Sequence, residues 1–138
     1  MKKPTIKEYR NLYPVTLYVD YLDNSTNLNE IFNFYARIDD WTESKNEGTM
    51  CIDRNIYGVT FLVRNKTTDG AGILIILDRE SPVSTQAHES IHYADAVFDY
   101  LHMNGEGYDA GNEHYAYLVT WCFEQLENFR NAERDKKR

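Results

Sequence analysis

The spacing of apolar residues changes several times along the chain, and each change marks an element. Val15, Leu17 and Val19 alternate with their neighbours in a run of β-branched and aromatic residues, which predicts a strand over 15–21. Asp23-Asn24-Ser25-Thr26-Asn27 is turn chemistry able to cap a helix. Leu28, Ile31, Phe32 and Tyr35 then recur at helical spacing and predict a short amphipathic helix. Residues 42–49 are mostly polar and read as a surface loop, after which Met50-Cys51-Ile52 suits a short edge strand. The runs 58–64 and 72–78 have strand length and are joined by a polar link that ends in Asp69-Gly70, so they predict adjacent antiparallel strands. The second run is apolar at every position from Ile73 to Leu77, as in a central strand covered on both faces.

After Ser81-Pro82 the period becomes helical. Ser84 or Thr85 caps a helix whose apolar face is Ile91, Ala94, Phe98 and Leu101, running to about Met103. Asn104-Gly105-Glu106-Gly107 ends it, and Asn112 caps a last helix carrying Leu118, Trp121, Cys122, Gln125, Leu126 and Phe129. Residues 1–14 form a polar N-terminal segment and 131–138 a charged, frayed tail. Strands followed by helices place the chain in the α+β class with a small mixed or antiparallel sheet. A length of 138 residues, 42% of them hydrophobic, suits a single domain over 1–138.

Charge narrows the function classes. Fifteen basic against 22 acidic side chains leave a net charge of -7, which repels phosphate backbones and anionic lipid, so neither nucleic acid nor a membrane is an expected partner. Cys51 and Cys122 are far apart and lack CxxC spacing, which removes a disulfide framework and a cysteine zinc ribbon. The longest apolar run falls well short of the roughly 20 residues of a membrane helix, and Pro4 and Lys7-Glu8 interrupt any secretory signal. The chain is expected to stay in the compartment where it is made.

His88-Glu89-Ser90-Ile91-His92 lies inside the first long helix. Residues four apart sit one turn above each other, so both imidazoles project from one face and can bind one metal ion. Glu89 is rotated from them by a residue step, beside such an ion rather than on it, where its carboxylate can take a proton from water. The plainer alternative is that the two histidines pack or hydrogen-bond on the helix, with Glu89 solvated. A catalytic zinc site wants three protein ligands and an open position, so a third donor must come from elsewhere. Position 98 is phenylalanine, which excludes the elongated motif with a ligand six residues after His92. Glu113 and His114 on the last helix are the remaining choices. His114 lies nearer the middle of the apolar arc of Leu118, Trp121 and Gln125.

The histidine pair followed by Glu113, 21 residues after His92, resembles the gluzincin arrangement. More narrowly, 88–95 together with Asn112-Glu113-His114-Tyr115-Ala116-Tyr117-Leu118-Val119-Thr120-Trp121 is similar to small zincin-like metallopeptidases encoded by tailed bacteriophages, over roughly 58–126. The resemblance implies a minimal zincin-like fold and Zn²⁺ bound by His88, His92 and Glu113. It also implies Glu89 as general base, a peptide or protein substrate, and a location in the host cytoplasm or the virion. The rival functions are a phage structural or assembly protein that keeps the fold without turnover, in contact with other phage proteins, and a zinc amidase acting on a non-protein amide.

Around this motif, Asp95 and Asp99 continue the histidine flank. Each is able to orient a ligand histidine, to bond across to the last helix, or simply to face solvent. His102 sits where a helix C-terminus favours a cation. Tyr93, Tyr108, Tyr115 and Tyr117 surround the motif in sequence, and a tyrosine O–H aimed at a substrate carbonyl would stabilise its oxyanion. Tyr117, one turn past Glu113, is the candidate catalytic tyrosine, with Tyr108 in the loop as the alternative; packing is the competing role for each.

Overall fold

The computed structural model describes residues 5–24, 28–37, 56–104 and 112–136, in two compact units, Met1–Pro82 and Val83–Arg138. The predicted loop 42–49, the edge strand at Met50-Cys51-Ile52, the glycines of the 104–107 loop and Tyr108 lie outside the described residues.

The first unit is a five-stranded mixed sheet. Its elements are β1 (Lys7–Tyr9), β2 (Thr16–Tyr21), a 3-10 turn (Leu22–Asn24), α1 (Leu28–Ile31), β3 (Phe32–Arg37), β4 (Gly58–Asn65) and β5 (Ala71–Leu77). The order is β1-β2-β5-β4-β3, antiparallel throughout except where β2 lies parallel to β5. The apolar run 73–77 explains the middle position of β5, since every residue of that strand is buried. One face presents Leu74 and Ile76 to a cluster with Tyr18, Phe32, Phe34, Val59, Phe61 and Val63. Leu17, Val19, Ile73 and Ile75 on the opposite face are buried as well. Each large aliphatic side chain so placed contributes about 1.5–3 kcal/mol.

Two local features hold the sheet in register. In the β4–β5 link the Asn65 carboxamide oxygen accepts the N–H groups of Thr67 and Thr68, Asp69 adopts φ 57°, and Arg64 donates to the Asp69 carbonyl. Gly72 lies directly under the Tyr18 ring, where a β-carbon would stand 2.4 Å from the ring. Tyr18 in turn packs edge-on against Phe32 at 4.8 Å.

The predicted helix over 28–35 is a single turn that gives way to a strand at Phe32. Leu28, Ile31, Phe32 and Tyr35 fit a helical period, but Phe32 and Phe34 also fit a period of two. Pairing with β4 buries both phenylalanines. The ladder shifts register between Phe34 and Ala36, so Tyr35 forms a bulge, and it is 45% exposed. β1, inside the polar N-terminal segment, is a three-residue edge strand for which no element was predicted.

The second unit is a helical hairpin of α2 (Val83–Tyr100) and α3 (Glu113–Lys136). α2 starts directly after Pro82, so Ser84 and Thr85 lie in its first turn rather than at its cap. It ends in a Schellman motif: His102 N–H donates to the Asp99 carbonyl, Met103 N–H donates to the Phe98 carbonyl, and His102 itself takes φ 55°. α3 follows Asn112 as expected and continues to Lys136, so 131–136 are helical rather than frayed. Leu118, Cys122, Leu126 and Phe129 form its buried stripe. No helix among the described residues is long and apolar enough to cross a membrane.

Candidate metal centre

The buried face of α2 keeps Ala94 and Phe98 of the predicted apolar stripe but is rotated from it. Gln86, Glu89, Ser90, Tyr93, Ala94, Ala96, Val97 and Phe98 are buried, whereas Ile91 is 46% exposed. Gln86 explains part of this: its carboxamide receives Arg130 Nη1 at 2.7 Å and donates to Glu127 Oε1 at 2.8 Å, while Ser90 Oγ donates to the Gln86 carbonyl at 2.7 Å. Buried polar atoms with partners cost little, so polar residues can occupy the interior face.

On the outer side His88 is exposed and His92 half-buried. Their Nε2 atoms lie 3.1 Å apart and their rings meet at 80°, with centroids 4.7 Å apart. Imidazole binds zinc at about 2.0–2.1 Å, so nitrogens at this separation subtend roughly 98° at a shared ion, near a tetrahedral edge. The pair therefore fits such an ion. It equally fits one N–H···N hydrogen bond, in which one ring donates and the other accepts.

Glu89, next to His88, is 4% exposed, and the expectation that it is solvated in the non-metal alternative does not hold. It lies on the side of α2 that meets Cys122 of α3. The Cys122 thiol is pushed up to about 12, chiefly by burial; a hydrogen bond with Ser90 works against the shift and the Glu89 charge adds to it. Such a thiol stays protonated and unreactive.

Glu113 and His114 are exposed in the first turn of α3. The helix pair is antiparallel, with Gln86 meeting Glu127 and Arg130, Tyr93 stacked on Trp121 at 5.7 Å, and Phe98 against Tyr115 at 5.4 Å. This register sets Glu113 level with the last turn of α2, roughly 12 Å of helix rise beyond His92. Side chains lean toward the N-terminus of their own helix, which carries Glu113 and the histidines further apart. Among the described residues no group of three or more His, Cys, Asp and Glu side chains is placed to hold one metal ion.

Asp95 bonds across to the last helix: Tyr115 O–H donates to Asp95 Oδ1 at 2.8 Å. Burial, then that bond and the carboxylate charge, holds the Tyr115 hydroxyl well above the usual phenol range. Tyr93 is fully buried against Trp121 and acts in packing, while Tyr117 is 44% exposed. Sequence reasoning missed the Gln86–Arg130–Glu127 group and the buried carboxylate of Asp20, 1% exposed within β2. An aspartate inside a β-branched, aromatic run was the signal for the second; nothing in the hydrophobic pattern marked the first.

No family model matches the sequence, and no curated protein or solved structure matches it either.

Proposed function

We propose that the chain is a zinc-dependent hydrolase of peptide bonds, with His88 and His92 as metal ligands and Glu89 as general base. The observation that carries this reading is the convergence of the two Nε2 atoms at 3.1 Å on the outer side of α2. A zinc ion held there supplies a Lewis acid for a carbonyl oxygen and makes water acidic enough to react near neutral pH. The Glu89 carboxylate takes the proton of the attacking water and hands it to the leaving amine. Tyr117 is the proposed donor to the developing oxyanion.

Glu113 is the third ligand implied by the likeness to gluzincins, with His114 as its neighbour. The register of α2 and α3 sets both apart from the histidine pair, and this favours a second reading: a phage structural or assembly protein that keeps the histidine helix without turnover. Hydrolysis of an unfolded protein and of peptidoglycan fragments by the zinc-loaded chain tests the two. The first reading expects turnover that Glu89→Gln lowers by about 10²–10⁴-fold while zinc is retained. Equal rates in the two proteins overturn it. Zinc binding without turnover on either substrate supports the second.

A further inference from the structure

We infer that residues 5–9 act as a strap that closes over the Asp20 carboxylate while it is protonated and lifts as it ionises. Nothing in this depends on the metal site. Asp20 is 1% exposed, yet Thr5, whose hydroxyl donates to both carboxylate oxygens at 2.9 and 2.8 Å, is itself exposed. Asp20 pairs with Ile76 of β5 and shares a sheet face with Tyr18. Ile6, next to Thr5 in the strap, packs against the cluster that contains Tyr18, Leu22 and Ile76. The carboxylate is thus enclosed between that cluster and the strap.

An ionised carboxylate offers about four acceptor sites. One hydroxyl proton shared between two oxygens, with the Tyr21 N–H at 2.8 Å from Oδ1, replaces part of the water it loses. Burial is accordingly the largest influence on Asp20 and favours its neutral form. Of the charged groups around it, Asp23 in the 3-10 turn adds to that effect and Arg79 after β5 opposes it, while Arg79 is also held by Asp23 and the Tyr21 ring. On β1, Lys7 stands opposite Val19, and Glu8, opposite Tyr18, faces Arg10 at 3.9 Å; Asp78 follows β5 and accepts the Glu80 N–H. The strap is the part of this enclosure that opens most cheaply. β1 pairs through three residues, two of them exposed, whereas every residue of β5 is buried. Lifting it returns the carboxylate to water, so ionisation favours the open form and protonation the closed one.

The test is amide hydrogen exchange of β1 against that of β5 on the full chain, corrected for the intrinsic pH dependence of exchange, from acid to neutral pH. In the wild type, β1 is expected to be protected below 3.8 and to lose protection as pH rises through the folded-state value of Asp20, while β5 stays protected. Asp20→Asn, a neutral side chain of the same shape, is expected to keep β1 protected throughout, so the pH dependence is lost. Thr5→Val keeps the shape of the cover without its donated hydrogen bond and is expected to open β1 further at neutral pH. The same pH dependence in Asp20→Asn overturns the inference. Wild-type β1 protection that does not change with pH, or that tracks β5 at every pH, also overturns it, and this comparison decides even where Asp20→Asn fails to fold.

Discussion

His88 and His92 stand one turn apart on α2 with their Nε2 atoms 3.1 Å from each other and their rings nearly perpendicular. Lone pairs at that distance repel unless a proton or a cation lies between them. One N–H···N hydrogen bond meets that requirement as well as a shared cation does, and because neither ring is fully buried the pair contributes little to the interior of the hairpin.

Replacing either histidine separates binding from folding. His88→Ala and His92→Ala are expected to change unfolding free energy in chelator by no more than about 0.5 kcal/mol, as for other surface positions. Urea unfolding with and without zinc checks this: zinc stabilises the wild type and leaves the variants unchanged.

Gln86 joins the two helices through Arg130 and Glu127 at full burial. Gln86→Ala deprives two long polar side chains of this partner and is expected to cost about 1–3 kcal/mol in urea unfolding.

The Tyr18 ring leaves no room for a side chain at position 72. Gly72→Ala is expected to destabilise by about 1–3 kcal/mol, through displacement of Tyr18 from Phe32 and strain against the Thr16 carbonyl. Near-ultraviolet circular dichroism, which reports on tyrosine environment, should change along with the unfolding midpoint.

Asp20 gives the stability a pH dependence of known sign. Burial raises its folded-state pKa above the ordinary 3.8. The Thr5 hydroxyl and the Tyr21 N–H, which donate to the carboxylate, offset part of the shift; Asp23 adds to it and Arg79 opposes it. A raised carboxyl contributes stability that is fully present below 3.8 and is lost as pH rises through the folded-state value. Asp20→Asn is therefore expected to stabilise the chain near neutral pH and to lose that advantage on acidification. Thermal unfolding of both proteins across the acid range checks the sign.

Much of the sheet was legible because its signals do not depend on distant partners. The run 73–77 is apolar on both faces and lies at the centre of the sheet, and Asp69-Gly70 marks the link to its neighbour. β3 was misread because Phe32 and Phe34 satisfy a strand period while Leu28, Ile31, Phe32 and Tyr35 satisfy a helical one, and pairing with β4 decides between them. β1 is too short to leave a pattern. In α2 the buried face keeps Ala94 and Phe98 of the apolar stripe but also carries Gln86, Glu89 and Ser90 while Ile91 is exposed, so hydrophobicity alone locates only part of it. The histidine pair was legible because four-residue spacing on one helix is local. A third ligand depends on the register between α2 and α3, which contacts such as Gln86–Arg130 set and which no spacing in the chain encodes.

Zinc bound per chain, measured by elemental analysis on wild type, His88→Ala, Glu113→Ala and Glu89→Gln, tests the metal site most directly. Retention by the wild type and Glu89→Gln, with loss in His88→Ala, is the predicted result, and Glu113→Ala shows whether that carboxylate is a ligand. A well-folded wild type that takes up no divalent metal would contradict the account.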